Sequence, residues 1–204
     1  MIIDVKNAGR RFNQEWIFRN FNYQFKTGGS YAILGPNGSG KSTLLSVLMG
    51  NLSPSEGDTT YKDTQDIPVA DFYRYISFAA PYLDLIEEFT LEETIKFHFQ
   101  FKDLPQGMTL NKVLDRLGLA KAQDKALKYF SSGMKQRTKL ALACCSATPV
   151  LLLDEPTSNL DIQGVDWYQQ LIQDYSKDKL VIVCSNQEVE YSFCAERIQV
   201  NDYK

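Results

Sequence analysis

Gly35-Pro36-Asn37-Gly38-Ser39-Gly40-Lys41-Ser42-Thr43 decides how the rest of the 204-residue chain is read. A glycine, four variable residues and Gly-Lys-Ser make a loop whose successive backbone N–H groups can wrap a polyphosphate. Side chains at Gly35, Gly38 or Gly40 would block that approach or forbid the required φ. Lys41 adds positive charge for the β- and γ-phosphates, and the Ser42 hydroxyl can ligate Mg2+. The flanks agree: Ser30 to Leu34 is a short run rich in strand formers, and Thr43 to Met49 is long enough for a buried helix, closed by Gly50. Strand, glycine loop and helix together point the helix N-terminus, with its free N–H groups and positive dipole end, at the phosphates.

Composition sets the outer bounds. At 44% hydrophobic and 23% charged residues the chain reads as an ordinary globular protein, large enough for one domain carrying a smaller lobe. A net charge of −3 and a pI near 5.3 offer no electrostatic footprint for nucleic acid, so none is expected as a partner. Apolar runs such as Leu151-Leu152-Leu153 and Leu180 to Cys184 are strand-sized, and Met1 to Lys6 does not resemble a signal peptide; a cytoplasmic protein is expected. Cys144, Cys145, Cys184 and Cys194 lie in or beside apolar segments without Cys-x-x-Cys spacing, which predicts buried thiols.

Working outward from the loop, Ile2 to Val5 and Asn20 to Phe25 read as strands, the second with Phe21, Tyr23 and Phe25 at period two. Asp58 to Tyr61 and Tyr73 to Ala79 are further strand candidates. From about Pro81 to Phe130 helical spacing replaces alternation, through Leu91, Thr94 and Ile95 and then Val113, Leu114, Leu117 and Leu119, as in an inserted helical lobe. Ser131 to Ala147 reads as a mostly buried helix, and Val150 to Leu153 and Leu180 to Cys184 as core strands. Asp161 to Ser176 is predicted to be an amphipathic helix with Ile162, Val165, Tyr168, Leu171, Ile172 and Tyr175 on its inner side. The expected fold is α/β: a doubly wound core sheet, antiparallel strands near the N-terminus, and an inserted α-helical lobe. In this division one domain spans 1–204, with 1–80 and 131–204 as core and 81–130 as the lobe.

The second chemical signal is Val150-Leu151-Leu152-Leu153-Asp154-Glu155, a strand buried on both faces that ends in two carboxylates. In an open α/β sheet ligands bind at the C-terminal edge of the strands, the edge from which the phosphate loop also departs. Asp154 is therefore placed to hold Mg2+, directly or through water, and Glu155 to orient a water for in-line attack.

With Phe130-Ser131-Ser132-Gly133-Met134-Lys135-Gln136-Arg137 between them, and Leu153 to Asp161 after, these motifs resemble the nucleotide-binding subunit of an ATP-binding cassette (ABC) transporter, a P-loop NTPase. The resemblance covers essentially the whole chain and is similar to compact exporter ATPases with separately encoded membrane subunits. It implies ATP and Mg2+ as ligands, and head-to-tail pairing with a second ATPase subunit, the same or a different chain. In that pairing Ser131 and Gly133 of one copy face the γ-phosphate held by Gly35 to Thr43 of the other, and Ser158 to Asp161 touches the opposite subunit. It also implies a place at the cytoplasmic face of the membrane beside a membrane-spanning subunit. Phe12 stands where the family has an aromatic that stacks on adenine, with Trp16 a rival.

Two departures stand out. The family carries a Gln that senses Mg2+ and the attacking water after the strand corresponding to Tyr75 to Ala79, where this chain reads Ala80-Pro81. It carries a His after the last core strand, where this chain reads Cys184-Ser185-Asn186-Gln187; the single histidine, His98, falls in the helical lobe as a structural residue. Asn186 can donate a hydrogen bond to phosphate but cannot take up a proton at neutral pH. A slow ATPase is the expectation, with Glu155 positioning water and Asn186 or Gln187 sensing the γ-phosphate. A nucleotide-operated assembly or regulatory module with little hydrolysis is the alternative. Tyr82, Leu85, Ile86 and Phe89 either line a groove for the membrane subunit or belong to the core of the lobe.

Overall fold

The computed structural model describes residues 1–204. β1 (Ile2–Phe12) and β2 (Glu15–Lys26) form a long hairpin, and β3 (Ser30–Leu34) leads through the glycine loop into α1 (Lys41–Leu48). Next come β4 (Glu56–Lys62), β5 (Asp66–Ile67), the short α2 (Val69–Phe72) and β6 (Ile76–Ala79). Two helices of the lobe, α3 (Leu91–His98) and α4 (Leu110–Leu117), precede α5 (Ser132–Cys144). The chain closes with β7 (Val150–Asp154), α6 (Ile162–Tyr175), β8 (Leu180–Cys184), α7 (Glu188–Tyr191) and β9 (Glu196–Gln199). An antiparallel sheet runs in the order β2-β1-β4-β5 and a parallel one in the order β6-β7-β8-β3-β9.

Both faces of the parallel sheet are covered, which is why its strands read as unbroken apolar runs. Val150 and Leu152 of β7 join Leu180 and Ile182 of β8 in a core shared with α1 and the antiparallel sheet. The alternate residues, Leu151, Leu153, Val181 and Val183, pack on the other face with Leu140 of α5 and Tyr168 and Leu171 of α6. A third cluster joins Leu91 and Ile95 of α3 and Val113 and Leu117 of α4 to Ala141 and Leu142 of α5. Each fully buried Val or Leu contributes about 1.5–3 kcal/mol. Sheet and lobe are thus built on opposite stripes of one helix, α5.

The elements differ from the sequence-based expectation in four places. β1 continues past Val5 to Phe12 although Lys6 to Arg11 is mostly polar, because it is hydrogen-bonded on both sides, to β2 and β4. Its register shift after Val5 is held by an asparagine pair: Asn7 N–H donates to Asn22 Oδ1 (2.8 Å) and Asn22 Nδ2 to Asn7 Oδ1 (2.9 Å). β2 likewise begins at Glu15, not Asn20. Tyr73 to Tyr75 is no strand but the turn that ends α2, and β6 begins only at Ile76. Ile162 is not on the inner side of α6; it is 82% exposed. At 100° per residue it lies about 120° from Tyr168, outside the stripe centred there. All four cysteines are free and buried.

Candidate functional site

Parallel register brings the chemistry to one edge. Ile33 of β3 pairs with Cys184 of β8, and Cys184 pairs with Asp154 of β7. The phosphate loop and the acidic pair therefore leave the same sheet level two strands apart, about 10 Å. Cys184, fully buried between them, directs its thiol at the Lys41 carbonyl (3.7 Å).

The loop is closed on itself. Lys41 Nζ donates to the Gly35 carbonyl (2.8 Å) and the Pro36 carbonyl (3.3 Å), so its ammonium sits inside the ring of backbone it would share with phosphate oxygens. Gly40 caps α1 at φ 104°, and a Cβ there would meet Ile17 Cγ2 at 2.4 Å. A side chain is excluded by both conformation and contact. Ile17, Glu155, Asn37, Gly38 and the run Gly40 to Thr43 line one open depression.

Asp154 is 1% exposed. Its Oδ2 accepts a hydrogen bond from the Tyr82 hydroxyl (2.9 Å), while Oδ1 has no partner. Burial pushes its carboxyl up from the usual range, and the nearby Ser42 hydroxyl and Tyr82 phenol push it back down. A buried carboxylate oxygen left without a donor beside a serine hydroxyl is the donor set that suits Mg2+, which takes one or two protein oxygens and leaves the remaining positions to phosphate and water. Glu155 has φ 42°, a left-handed conformation uncommon for glutamate that turns its side chain into the depression of the phosphate loop. From the far side, Asn186 Nδ2 donates to Asn37 Oδ1 (2.7 Å), tying the end of β8 to the loop.

A profile of the ABC transporter family matches residues 18–158. The chain belongs to the ABC transporter family. It is 28% identical over 202 residues to the uncharacterized ABC transporter ATP-binding protein YybJ of Bacillus subtilis, covering 98% of this chain and 93% of that protein. To the lantibiotic transport ATP-binding protein SrtF of Streptococcus pyogenes it is 27% identical over 198 residues, covering 93% and 83%. Among solved structures, the dimeric bacterial ABC transporter cassette MJ0796 aligns with a TM-score of 0.82 at 25% identity, over 97% of this chain and 94% of that one. The same cassette, bound to ADP and Pi after hydrolysis, aligns with a TM-score of 0.81. The α/β cassette fold expected from the motifs is the observed one.

Within this ABC cassette the remaining residues fall into separate places. Ser131 caps α5, its Oγ accepting from Met134 N–H (3.2 Å), and neither it nor Gly133 lines the depression of the phosphate loop. A Cβ on Gly133 would stand 2.8 Å from the Asn159 carbonyl oxygen, so the close backbone approach at this glycine is to the segment after the acidic pair. Gln136 strengthens that contact by donating to the Pro156 carbonyl (2.9 Å). Phe12 ends β1, half exposed, with the Arg10 guanidinium 4.7 Å from its ring centroid; the Arg11 and Arg19 guanidiniums lie 5.5 Å and 4.5 Å from the Trp16 ring centroid. Ile17, not either aromatic, touches Gly40.

Two residues of the site escaped the sequence reading. Tyr82 reaches the Asp154 carboxylate rather than joining Leu85, Ile86 and Phe89, which line an apolar groove with Phe97 and Phe101. Glu190, fully buried in α7, accepts from Thr157 N–H (2.6 Å), Thr157 Oγ1 (2.5 Å) and the Ser185 hydroxyl. It bridges the segments that follow Glu155 and precede Asn186. A solitary Tyr and a Glu on a short helix carry no local signal for either contact.

Proposed function

We propose that this chain is the ATP-binding and ATP-hydrolysing subunit of an ABC transporter, energising a separately encoded membrane subunit through ATP-driven head-to-tail dimerisation. The observation that carries the reading is the gathering of Gly35 to Thr43, Asp154, Glu155 and Asn186 at one sheet edge, while Ser131 and Gly133 stay out of that depression. A site so divided is completed by a second cassette, the same or another chain, whose α5 N-terminus brings its Ser131 hydroxyl and dipole to the γ-phosphate.

In this reading the loop N–H groups and Lys41 bind the β- and γ-phosphates, and Phe12 stacks on adenine. Ser42 and Asp154 hold Mg2+, which when bound neutralises charge on the transferred phosphoryl group. Glu155 orients the attacking water, and Asn186 donates to the γ-phosphate after exchanging its bond to Asn37. Residues 81–130 act as the helical lobe of the single domain. The groove of Leu85, Ile86, Phe89, Phe97 and Phe101, with Phe101 70% exposed, receives a cytoplasmic segment of the membrane subunit. No helix of the chain is long and apolar enough to cross a membrane, consistent with a peripheral place on its cytoplasmic face.

Steady-state ATP hydrolysis separates the parts. Glu155→Gln is expected to lower turnover at least 100-fold while keeping ATP affinity, and Asn186→Ala to lower it less. Full turnover in Glu155→Gln would sink the mechanism, and unchanged rates in both Asn186→Ala and Gln187→Ala would sink phosphate sensing by this loop. Copurification with a multi-span membrane protein, and stimulation of hydrolysis in the complex, tests the transport assignment.

A further inference from the structure

The bond from Tyr82 to Asp154 belongs to a built arrangement. Tyr82 sits in the loop that follows β6, after the fully buried Ala80, and the Leu83 N–H closes a turn onto the Ala80 carbonyl (3.3 Å). Lys139 of α5, 8% exposed, donates to the Pro81 carbonyl (2.7 Å) and the Leu83 carbonyl (3.0 Å), the two that flank Tyr82 in sequence. Its ammonium makes no ion pair; both of its bonds go to this loop. The phenol ring lies against Phe78 (centroids 6.3 Å apart), and its hydroxyl ends 2.9 Å from Asp154 Oδ2. An ionised carboxylate accepts only, and a phenol donating to one oxygen fixes the plane of the group and leaves the other oxygen open. Here the open oxygen is the buried, unpartnered Oδ1.

We propose that Tyr82 is the positioning residue of the metal carboxylate: its phenol, anchored to α5 through Lys139, holds Asp154 by Oδ2 so that Oδ1 is presented to Mg2+. The inference rests on the reading of Asp154 as a metal ligand. It gives the segment that lacks the expected amide a different chemistry for the same neighbourhood. A glutamine could offer a metal its carbonyl oxygen; a neutral phenol instead acts from behind the ligand.

The test is metal binding without turnover. With ADP bound, Mn2+ is titrated into the full chain and free Mn2+ is read by electron paramagnetic resonance; mant-ADP affinity is measured separately in EDTA. Tyr82→Phe, which keeps the ring and removes one oxygen, is expected to weaken Mn2+ binding about tenfold, the loss typical for an outer-shell partner of a metal ligand. Metal-free mant-ADP affinity is expected to stay within twofold, a split that a merely structural role would not produce. Lys139→Met, which leaves every site side chain in place and frees the loop, is expected to show the same split. Mn2+ affinity within twofold of wild type in Tyr82→Phe overturns the proposal, as does an equal loss of metal-free ADP binding. If instead wild type and Asp154→Asn bind Mn2+ alike, the metal reading of Asp154 falls first.

Discussion

Replacing Glu190 isolates the one buried carboxylate that joins the segment after Glu155 to the segment before Asn186. Three donors converge on it, from Thr157 N–H, the Thr157 hydroxyl and the Ser185 hydroxyl, and none of Glu190, Thr157 or Ser185 is more than 5% exposed. In Glu190→Ala all three lose their acceptor. The Ser185 hydroxyl has a second one within reach, the Gln187 carbonyl at 3.3 Å, so two donors remain stranded. At about 1–3 kcal/mol for each buried unsatisfied donor, with the loss of charge-assisted bonding added, the cost is roughly 3–6 kcal/mol. In a chain of this size each kcal/mol lowers Tm by about 2–4 °C, so a fall of roughly 6–24 °C is expected.

Glu190→Gln is the informative partner. Its carbonyl can keep both bonds from Thr157, and its amide can donate to Ser185 Oγ while that hydroxyl turns to Gln187. Only charge assistance is lost, about 1 kcal/mol and about 2–4 °C. Thermal melting by circular dichroism reads both variants. A Glu190→Ala protein melting within 2 °C of wild type would refute the hub, and a glutamine as damaging as alanine would show that charge, not the number of acceptors, is what matters. ATP hydrolysis well below the melting range should fall in Glu190→Ala as well, since Thr157 and Ser185 anchor the segments bearing Glu155 and Asn186.

His98 gives a pH signature. Burial foremost, then the Lys102 charge, lower its pKa to about 4 from an ordinary 6.5. The unfolded chain thus binds more protons between those values, and stability is complete above about pH 6.5 and lost as pH falls towards 4, by roughly 2 kcal/mol at pH 5. Urea midpoints at pH 7.5 and 5.0 should differ less in His98→Gln than in wild type; an equal difference would clear His98 as the source. At Gly133, alanine must displace the Asn159 carbonyl or the α5 N-terminus. A loss of about 1–3 kcal/mol is expected, together with weaker ATP-induced dimerisation of a Glu155→Gln background on gel filtration. Full dimer formation in the double variant would remove the α5 N-terminus from the interface.

Legibility in this chain follows the range over which each cause acts. The phosphate loop was readable because glycines and Lys41 act within nine consecutive residues, and β7 and β8 because burial on two faces leaves an uninterrupted apolar run. β1 was half missed: Lys6 to Arg11 has no strand pattern of its own, and what keeps it extended is pairing with residues as distant as Glu56 to Lys62. Ile162 departs from expectation for a different reason: apolar spacing along α6 does not by itself carry the angle at which each residue points.

Tyr82 marks the limit most clearly, because the residue types at Ala80-Pro81 say nothing of the contact that the next residue makes with Asp154. What Asp154 needs is a neighbour that restrains one oxygen and frees the other, and any side chain delivered to that point by β6 and the Lys139 clamp could meet the need. The partner lies 72 residues away in sequence, and the clamp comes from α5, so no window around Ala80-Pro81 contained either. The same holds for Glu190, whose three donors come from two other segments. The motif residues lie within short windows of sequence, while the contacts that hold them, Tyr82 on Asp154 and Glu190 on Thr157 and Ser185, are set by register and helix packing.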